Sequence, residues 1–269
     1  MKRYIDLEVA LPRLTRICSC VLTLQACTQD FESEAYLQQR PSVPPSFKDI
    51  RAQEVSPIDI MGITIRKATE SDESALSRIC LLTADAGVSA EYLHDFGELP
   101  GLVYAVPYVK LPTTWGFVME EDSTGEVVGY ILGSTDTRTY EAHAAKHWWP
   151  PLVEKYPEER AVKPADITYI KLLKNMNKAL EESVAFSPAH MHIDILEAYQ
   201  KKGWGRRLVG RMVEHLRGEG LQGVWLGLDP RNEGAKKFYS KLGFKGVEGT
   251  PPDKHQMGLT FSDFESEGQ

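Results

Sequence analysis

Cysteine is scarce in this chain and poorly placed to build structure. The 269 residues contain Cys18, Cys20, Cys27 and Cys80, with no paired C-x-x-C set. That pattern gives no reason to expect a disulfide framework or a zinc site, and reduced thiols are the plain reading. Long apolar runs are missing as well: no stretch reaches the roughly 18 residues that a membrane span requires. Positive charge is not in excess either. The net charge is −7, so there is no global cationic surface to hold phosphates, and neither a nucleic acid nor a membrane is an expected partner. What remains is an ordinary globular composition, 42% hydrophobic and 26% charged, with enough apolar residues for a sizeable core.

The N-terminus gives a weak counter-signal. Lys2, Arg3, Arg13 and Arg16 precede a short apolar stretch that ends Leu24-Gln25-Ala26-Cys27, which resembles a signal peptide with a lipobox. Asp6 and Glu8 sit where such a signal should be purely basic, and the apolar stretch is short and rich in cysteine. The expected location is therefore cytoplasmic, with the nucleus left open, rather than secreted or lipid-anchored.

Pro41, Pro44, Pro45 and Pro57 mark a linker. A boundary near Met61 then divides a 1–60 extension from a 61–269 domain. Ile63-Thr64-Ile65-Arg66 alternates as a strand does. Thr69-Glu70-Ser71-Asp72 has the form of a capping box, opening a helix with Leu76, Ile79, Cys80 and Thr83 on one face. Strands at 115–120 and 127–132 flank a turn-rich 121–125 and read as a hairpin. Residues 134–185 read as a mostly helical insertion, a substrate lid or surface packing being equally open. From 190 onward strand and helix alternate: strand 190–195, helix 203–217, strand 224–228, helix 232–242, then strands near 244–248 and 256–261. A hairpin followed by that alternation implies an α/β fold with a mixed sheet and helices on both faces.

The most informative stretch runs from Ile193 to Leu208, where a strand feeds a loop and the loop feeds a helix carrying Gly203 and Gly205 in its first turn. Helix N-termini leave N–H groups unpaired and carry partial positive charge, which suits phosphate. The two glycines are expected to let phosphate approach the backbone, and Lys201, Lys202, Arg206 and Arg207 add positive charge. Taken alone, the glycines could equally be a turn and the cations a solvated helix start. A dinucleotide-binding Rossmann unit is a poor rival, because no G-x-G-x-x-G follows the first strand.

The surrounding order adds a resemblance. Gln200-x-x-Gly203-x-Gly205 after a strand is similar to the first signature of the GNAT acetyltransferases. Asn232-Glu233-Gly234-Ala235-Lys236-Lys237-Phe238-Tyr239, running on to Gly243-Phe244, is similar to the second. Segments at 63–66, 81–87, 130–133, 148–151 and 191–194 further resemble the acetyltransferase-like domain attached to some O-GlcNAcases and its free-standing microbial relatives. Sugar hydrolysis does not follow from that likeness. The resemblance implies a GNAT fold: a mixed, mostly antiparallel sheet, helices on both faces, and the helical insertion between the third and fourth strands. It implies acetyl-CoA as co-substrate, no metal, and direct transfer to an amine acceptor on a small molecule or protein. A non-catalytic module that binds acetyl-CoA or a partner is the alternative. Oligomeric state is left open.

Roles are carried over residue by residue. Backbone groups of Ile195 and Leu196 are expected to hold the pantetheine arm and the acetyl carbonyl. The loop of Gln200, Lys201, Lys202, Gly203, Trp204, Gly205 and Arg206 is expected to take the pyrophosphate, and Asn232 and Phe238 to line the thioester side. Tyr239 occupies the position that protonates the departing thiolate; a phenol with an ordinary pKa near 10 carries its proton at pH 7. The alternative is a core aromatic on an amphipathic helix. For the base, His190, His192 and Asp194 share one strand face, and Glu120 ends a hairpin strand. His192 and Asp194 are candidates that could equally be a structural pair, Glu120 is a further one, and a relayed water is also open.

Overall fold

Apolar residues at alternate positions turn Ile63 and Ile65 of β1 (Ile63–Lys67) toward the same side of a sheet. The computed structural model describes residues 62–264, so the linker, the boundary at Met61 and the N-terminal apolar stretch lie outside the described residues. The Asp72 carboxylate accepts from the Thr69 amide at 2.8 Å, which closes the expected capping box. The chain passes through a single 3-10 turn at Glu70–Asp72 into α1 (Glu73–Leu81). Residues 82–113, left without elements by the sequence, contain α2 (Leu99–Tyr104) and a 3-10 turn at Val106–Val109.

The hairpin is β2 (Thr114–Glu121) and β3 (Val127–Ser134), with a bulge between Met119 and Glu120. The insertion supplies α3 (Thr137–His147), α4 (Trp149–Lys155), α5 (Pro164–Lys174) and α6 (Glu181–Phe186). Then follow β4 (His190–Ile195), α7 (Trp204–Gly218), β5 (Gly223–Gly227), α8 (Glu233–Lys241), a two-residue β6 (Lys245–Gly246) and β7 (Gln256–Thr260). The strand order is β1-β2-β3-β4-β5-β7-β6. Every neighbour is antiparallel except β4 and β5.

Both faces of this sheet are covered, which is why β3 is buried at every position. On one face Phe117, Met119, Ile131, Met191, Ile193 and Ile195 pack against Leu208, Val209, Met212, Val213 and Leu216 of α7. On the other, Val118, Tyr130 and Leu132 meet Leu76, Ile79 and Cys80 of α1 and Tyr108. The insertion has a core of its own: Leu99 and Val103 of α2 join Ala144, Trp149, Leu152, Tyr169, Ile170 and Leu173. The unassigned 82–113 segment is thus what seats the insertion on the domain, and the Trp148 indole fixes it by donating to the Leu102 carbonyl at 3.0 Å.

Candidate functional site

Two parallel strands that part company make the site. The only registered pair between β4 and β5 is His190 with Trp225, joined by the Trp225 amide donating to the Ala189 carbonyl at 3.1 Å. Beyond it the strands diverge. On the other side of β4 the ladder with β3 continues, and the Leu196 amide donates to the Val128 carbonyl at 2.9 Å. Antiparallel ladders alternate, so Leu196, Asp194 and His192 turn their backbone groups to β3, while Ile193 and Ile195 turn theirs toward the missing neighbour. Of the two residues expected to offer backbone groups, Ile195 keeps an amide facing the opening, although its carbonyl accepts from Gln200 Nε2 at 2.8 Å. Leu196 does not: its carbonyl also accepts from the Tyr199 amide at 2.9 Å. Ile193 takes its place, a correction that follows from ladder parity alone.

The loop after β4 is organised from within. The buried Gln200 side chain ties it to the strand end through that bond to Ile195. Lys201 and Gly203 have φ of 61° and 85°, and Lys201, Lys202 and Gly203 are exposed. The first bond of the α7 ladder runs from Arg207 N to Gly203 O, which leaves the amides of Trp204, Gly205 and Arg206 ahead of it. The two glycines serve different ends. At Gly203 a Cβ would meet nothing within 4 Å, so the left-handed backbone is what calls for glycine. At Gly205 a Cβ would lie 2.7 Å from the Phe238 ring; glycine there admits α8 against α7 rather than opening the backbone to a phosphate. The Trp204 indole is in the core, leaving only its backbone to the loop. Asn232 caps α8 by accepting from the Ala235 amide at 2.9 Å, while its buried Nδ2 has no hydrogen-bond partner among the described residues. A buried donor left unpaired is the kind of group a ligand carbonyl satisfies.

A cavity of about 540 Å³ lies at the mouth of the opening. Its walls come from α2, α3, α4 and the ends of β4 and β5, with Tyr104, Tyr108, Tyr140, Trp149, His190, His192 and Trp225 among the lining residues. It adjoins a groove of about 940 Å³ under α5 and shares Tyr104, Lys178, Trp225, Gly227 and Gln256 with it. The charged lining of the first cavity balances: Arg138 is held by Glu141 and Glu181, each at 2.7 Å. Across the floor, the Tyr108 hydroxyl lies 2.8 Å from His190 Nε2 and 2.9 Å from His192 Nε2. His190 Nδ1 lies 2.8 Å from the Thr137 hydroxyl. Burial pushes His190 down to about 3, with the neighbouring His192 adding to it, and burial pushes His192 down to about 4.

The structure separates the other candidates. His192 lines the cavity; Asp194, two residues on, is buried and accepts from the Tyr130 hydroxyl, so the two do not form the pair considered from sequence. Glu120 is not brought to the opening. The bulge after Met119 sets it in a cluster with Arg66, 2.6 Å away, whose other ion pair is with Asp72 at 2.7 Å. Tyr239 is 2% exposed, its ring lying between Phe238 and Phe244 at 5.3 and 5.1 Å. Among the described residues no cluster of three or more His, Cys, Asp or Glu could hold a metal. Sequence reasoning missed Tyr108, Thr137 and Trp225. The His190-x-His192 alternation was the only visible signal for their neighbourhood.

The signature of the "Acetyltransferase (GNAT) family" matches residues 167–244, which span the opening, the loop and α8. Rattus norvegicus "Protein O-GlcNAcase" is 24% identical over 201 residues, covering 72% of this chain and 22% of that protein. The chain therefore spans about a fifth of the length of that relative. "[Ribosomal protein bS18]-alanine N-acetyltransferase" of Haemophilus influenzae is 32% identical over 82 residues, 29% of this chain and 56% of that enzyme. Among solved structures, SsHAT superposes with a TM-score of 0.64 at 30% identity, covering 74% of this chain and 98% of that one. The family signature covers the residues that form the opening, and the SsHAT likeness extends over nearly the whole of that protein. This chain belongs to the GNAT acetyltransferase superfamily.

Proposed function

We propose that the protein is an acetyl-CoA-dependent N-acetyltransferase that transfers the acetyl group directly to an amine. The observation that carries this reading is the β4–β5 opening, where the Ile193 and Ile195 amides face a gap in the sheet. The glycine loop lies at one end of that gap and a walled cavity at the other. In this reading the amides of 201–206 hold the pyrophosphate, the opening holds the pantetheine arm, and Asn232 Nδ2 meets one of its carbonyls. The amine enters from the cavity. Its nitrogen lone pair forms the C–N bond, the C–S bond breaks with its electrons going to sulfur, and Tyr239 returns a proton to the thiolate. Of the three residues proposed as base, Asp194, Glu120 and His192, the last is the one that lines the cavity, so it takes the amine proton.

The same geometry suggests a second reading. Burial of the Tyr239 ring favours a non-catalytic module that binds acetyl-CoA without turning it over. Melting the full chain with acetyl-CoA, alone and with a panel of amines, while following thiol release, separates the two. Turnover requires both stabilisation and amine-dependent CoA release. Stabilisation without release leaves the module, and no stabilisation at all contradicts both. A ligand at 100 times its Kd contributes about 2.7 kcal/mol.

A further inference from the structure

The hydrogen bonds on the cavity floor assign every proton in turn. The Pro188 carbonyl can only accept, and it does so from the Thr137 hydroxyl at 2.7 Å and the Thr137 amide at 2.8 Å. The hydroxyl's single proton is thereby placed. Thr137 Oγ1, 2.8 Å from His190 Nδ1, must accept from an Nδ1–H. His190 is neutral because it is buried, so its Nε2 carries no proton and accepts from the Tyr108 hydroxyl at 2.8 Å. Tyr108 has no second proton, so its oxygen accepts from His192 Nε2–H at 2.9 Å and from the hydroxyl of Tyr140, with which it also shares a hydrogen bond. His192 is neutral for the same reason. Its Nδ1 then carries a lone pair. That nitrogen has no hydrogen-bond partner among the described residues, and its ring lines the cavity.

We propose that Tyr108 is a positioning residue which, backed by His190 and Thr137, holds His192 in the one tautomer whose bare Nδ1 faces the acceptor cavity. Resting on the acetyltransferase reading, this makes His192 Nδ1 the acceptor of the amine proton. A poorly solvated imidazole is a weak base toward a free ammonium ion. It is adequate toward the attacking nitrogen, whose N–H grows strongly acidic once the C–N bond forms. The relay begins at the first residue of α3, so the insertion contributes to the site as well as walling it.

Tautomers are directly measurable. In the full chain labelled with 15N-histidine, long-range proton–nitrogen correlation at pH 7 is expected to show His190 protonated on Nδ1 and His192 on Nε2. Tyr108→Phe keeps the ring stacked 5.0 Å from Tyr140 but removes the hydroxyl. His192 should then lose its single tautomer and kcat should fall about 10-fold or more, with KM for acetyl-CoA unchanged. Thr137→Ser should preserve both readouts, and Thr137→Val should disturb them through His190, a route that remains if Tyr108→Phe does not fold. A parent showing His192 protonated on Nδ1, or Tyr108→Phe turning over like the parent, overturns the proposal. A parent that never releases CoA overturns the acetyltransferase reading instead, and with it His192 as a base, whatever the tautomers show.

Discussion

The two sides of the β4–β5 opening are built on different principles. The loop side is local and made of backbone: a strand end, a glutamine that ties the loop back to it, two positive-φ residues and a helix start, all within 193–207. The acceptor side is made of side chains gathered from α2, the 106–109 turn, α3, α4, β4 and β5. A backbone site needs conformation from its residues and tolerates many identities. A side-chain site needs particular atoms, and here each hydrogen bond fixes the next. The first kind is robust and general; the second can be tuned to one acceptor and is undone by a single lost hydroxyl.

The difference is open to breakage, most severely through the core the two sides share. Leu208 of α7 is fully buried, and Leu208→Ala should destabilise the chain by about 2–5 kcal/mol, read as a fall in the urea midpoint. If the loop works through backbone, the fraction still folded should bind acetyl-CoA as before. A parallel loss of intrinsic affinity would show that the loop leans on side-chain packing after all.

Tyr239→Phe comes next. A positioned acid contributes roughly 100-fold, so kcat should drop by about that factor with acetyl-CoA affinity unaltered. An unchanged rate would leave Tyr239 a core aromatic. Acidification should then expose the buried histidines. His190 and His192 titrate lower in the folded chain than their ordinary 6.5. Between those values the unfolded chain binds more protons, so stability is lost as pH falls from about 6.5 toward 4 and is unaffected above that range. The slope is at most about 1.4 kcal/mol per pH unit for each histidine, with a smaller share from His215, which burial also lowers. His190→Gln should flatten it, and a slope confined below pH 4 would contradict the burial described.

Smaller effects sharpen the comparison at the loop itself. Placing a side chain at φ 85° is strained by about 1–2 kcal/mol for most residues, and less for asparagine. Gly203→Asn should therefore bind acetyl-CoA more tightly than Gly203→Val, although the space beside Gly203 is open to either. Equal losses would mean the absence of a side chain matters more than the backbone. The smallest effect is expected from Glu120→Gln, which loosens the Arg66 cluster and should leave the rate within a factor of two, by the modest scale of partly exposed ion pairs. A large loss would return Glu120 to the mechanism.

This contrast also explains which parts were readable in advance. β4, α7, β5 and α8 were placed within a residue or two, because strand alternation, helical periodicity and the two glycines are local signals. The choice of Ile193 over Leu196 needed the ladder's parity, which appears only once β3 and β4 are paired. Tyr108 carried no signal: its segment has no clear periodicity, and its partner His190 lies 82 residues away. Gly205 was legible as a glycine but not in its purpose, since Phe238 approaches from another helix. Glu120 misled because a carboxylate at a strand end looks available until Arg66 on the next strand is known to hold it.

Hydrogen exchange of the full chain with and without acetyl-CoA tests the central assignment most directly, because the backbone itself is claimed as the binding surface. Slowed exchange is expected in peptides carrying Ile193, Ile195 and the 201–206 amides, with a second region at the start of α8 around Asn232, and little change in α2 or α5. Protection absent from 193–206, or concentrated in the insertion, would contradict binding in the β4–β5 opening.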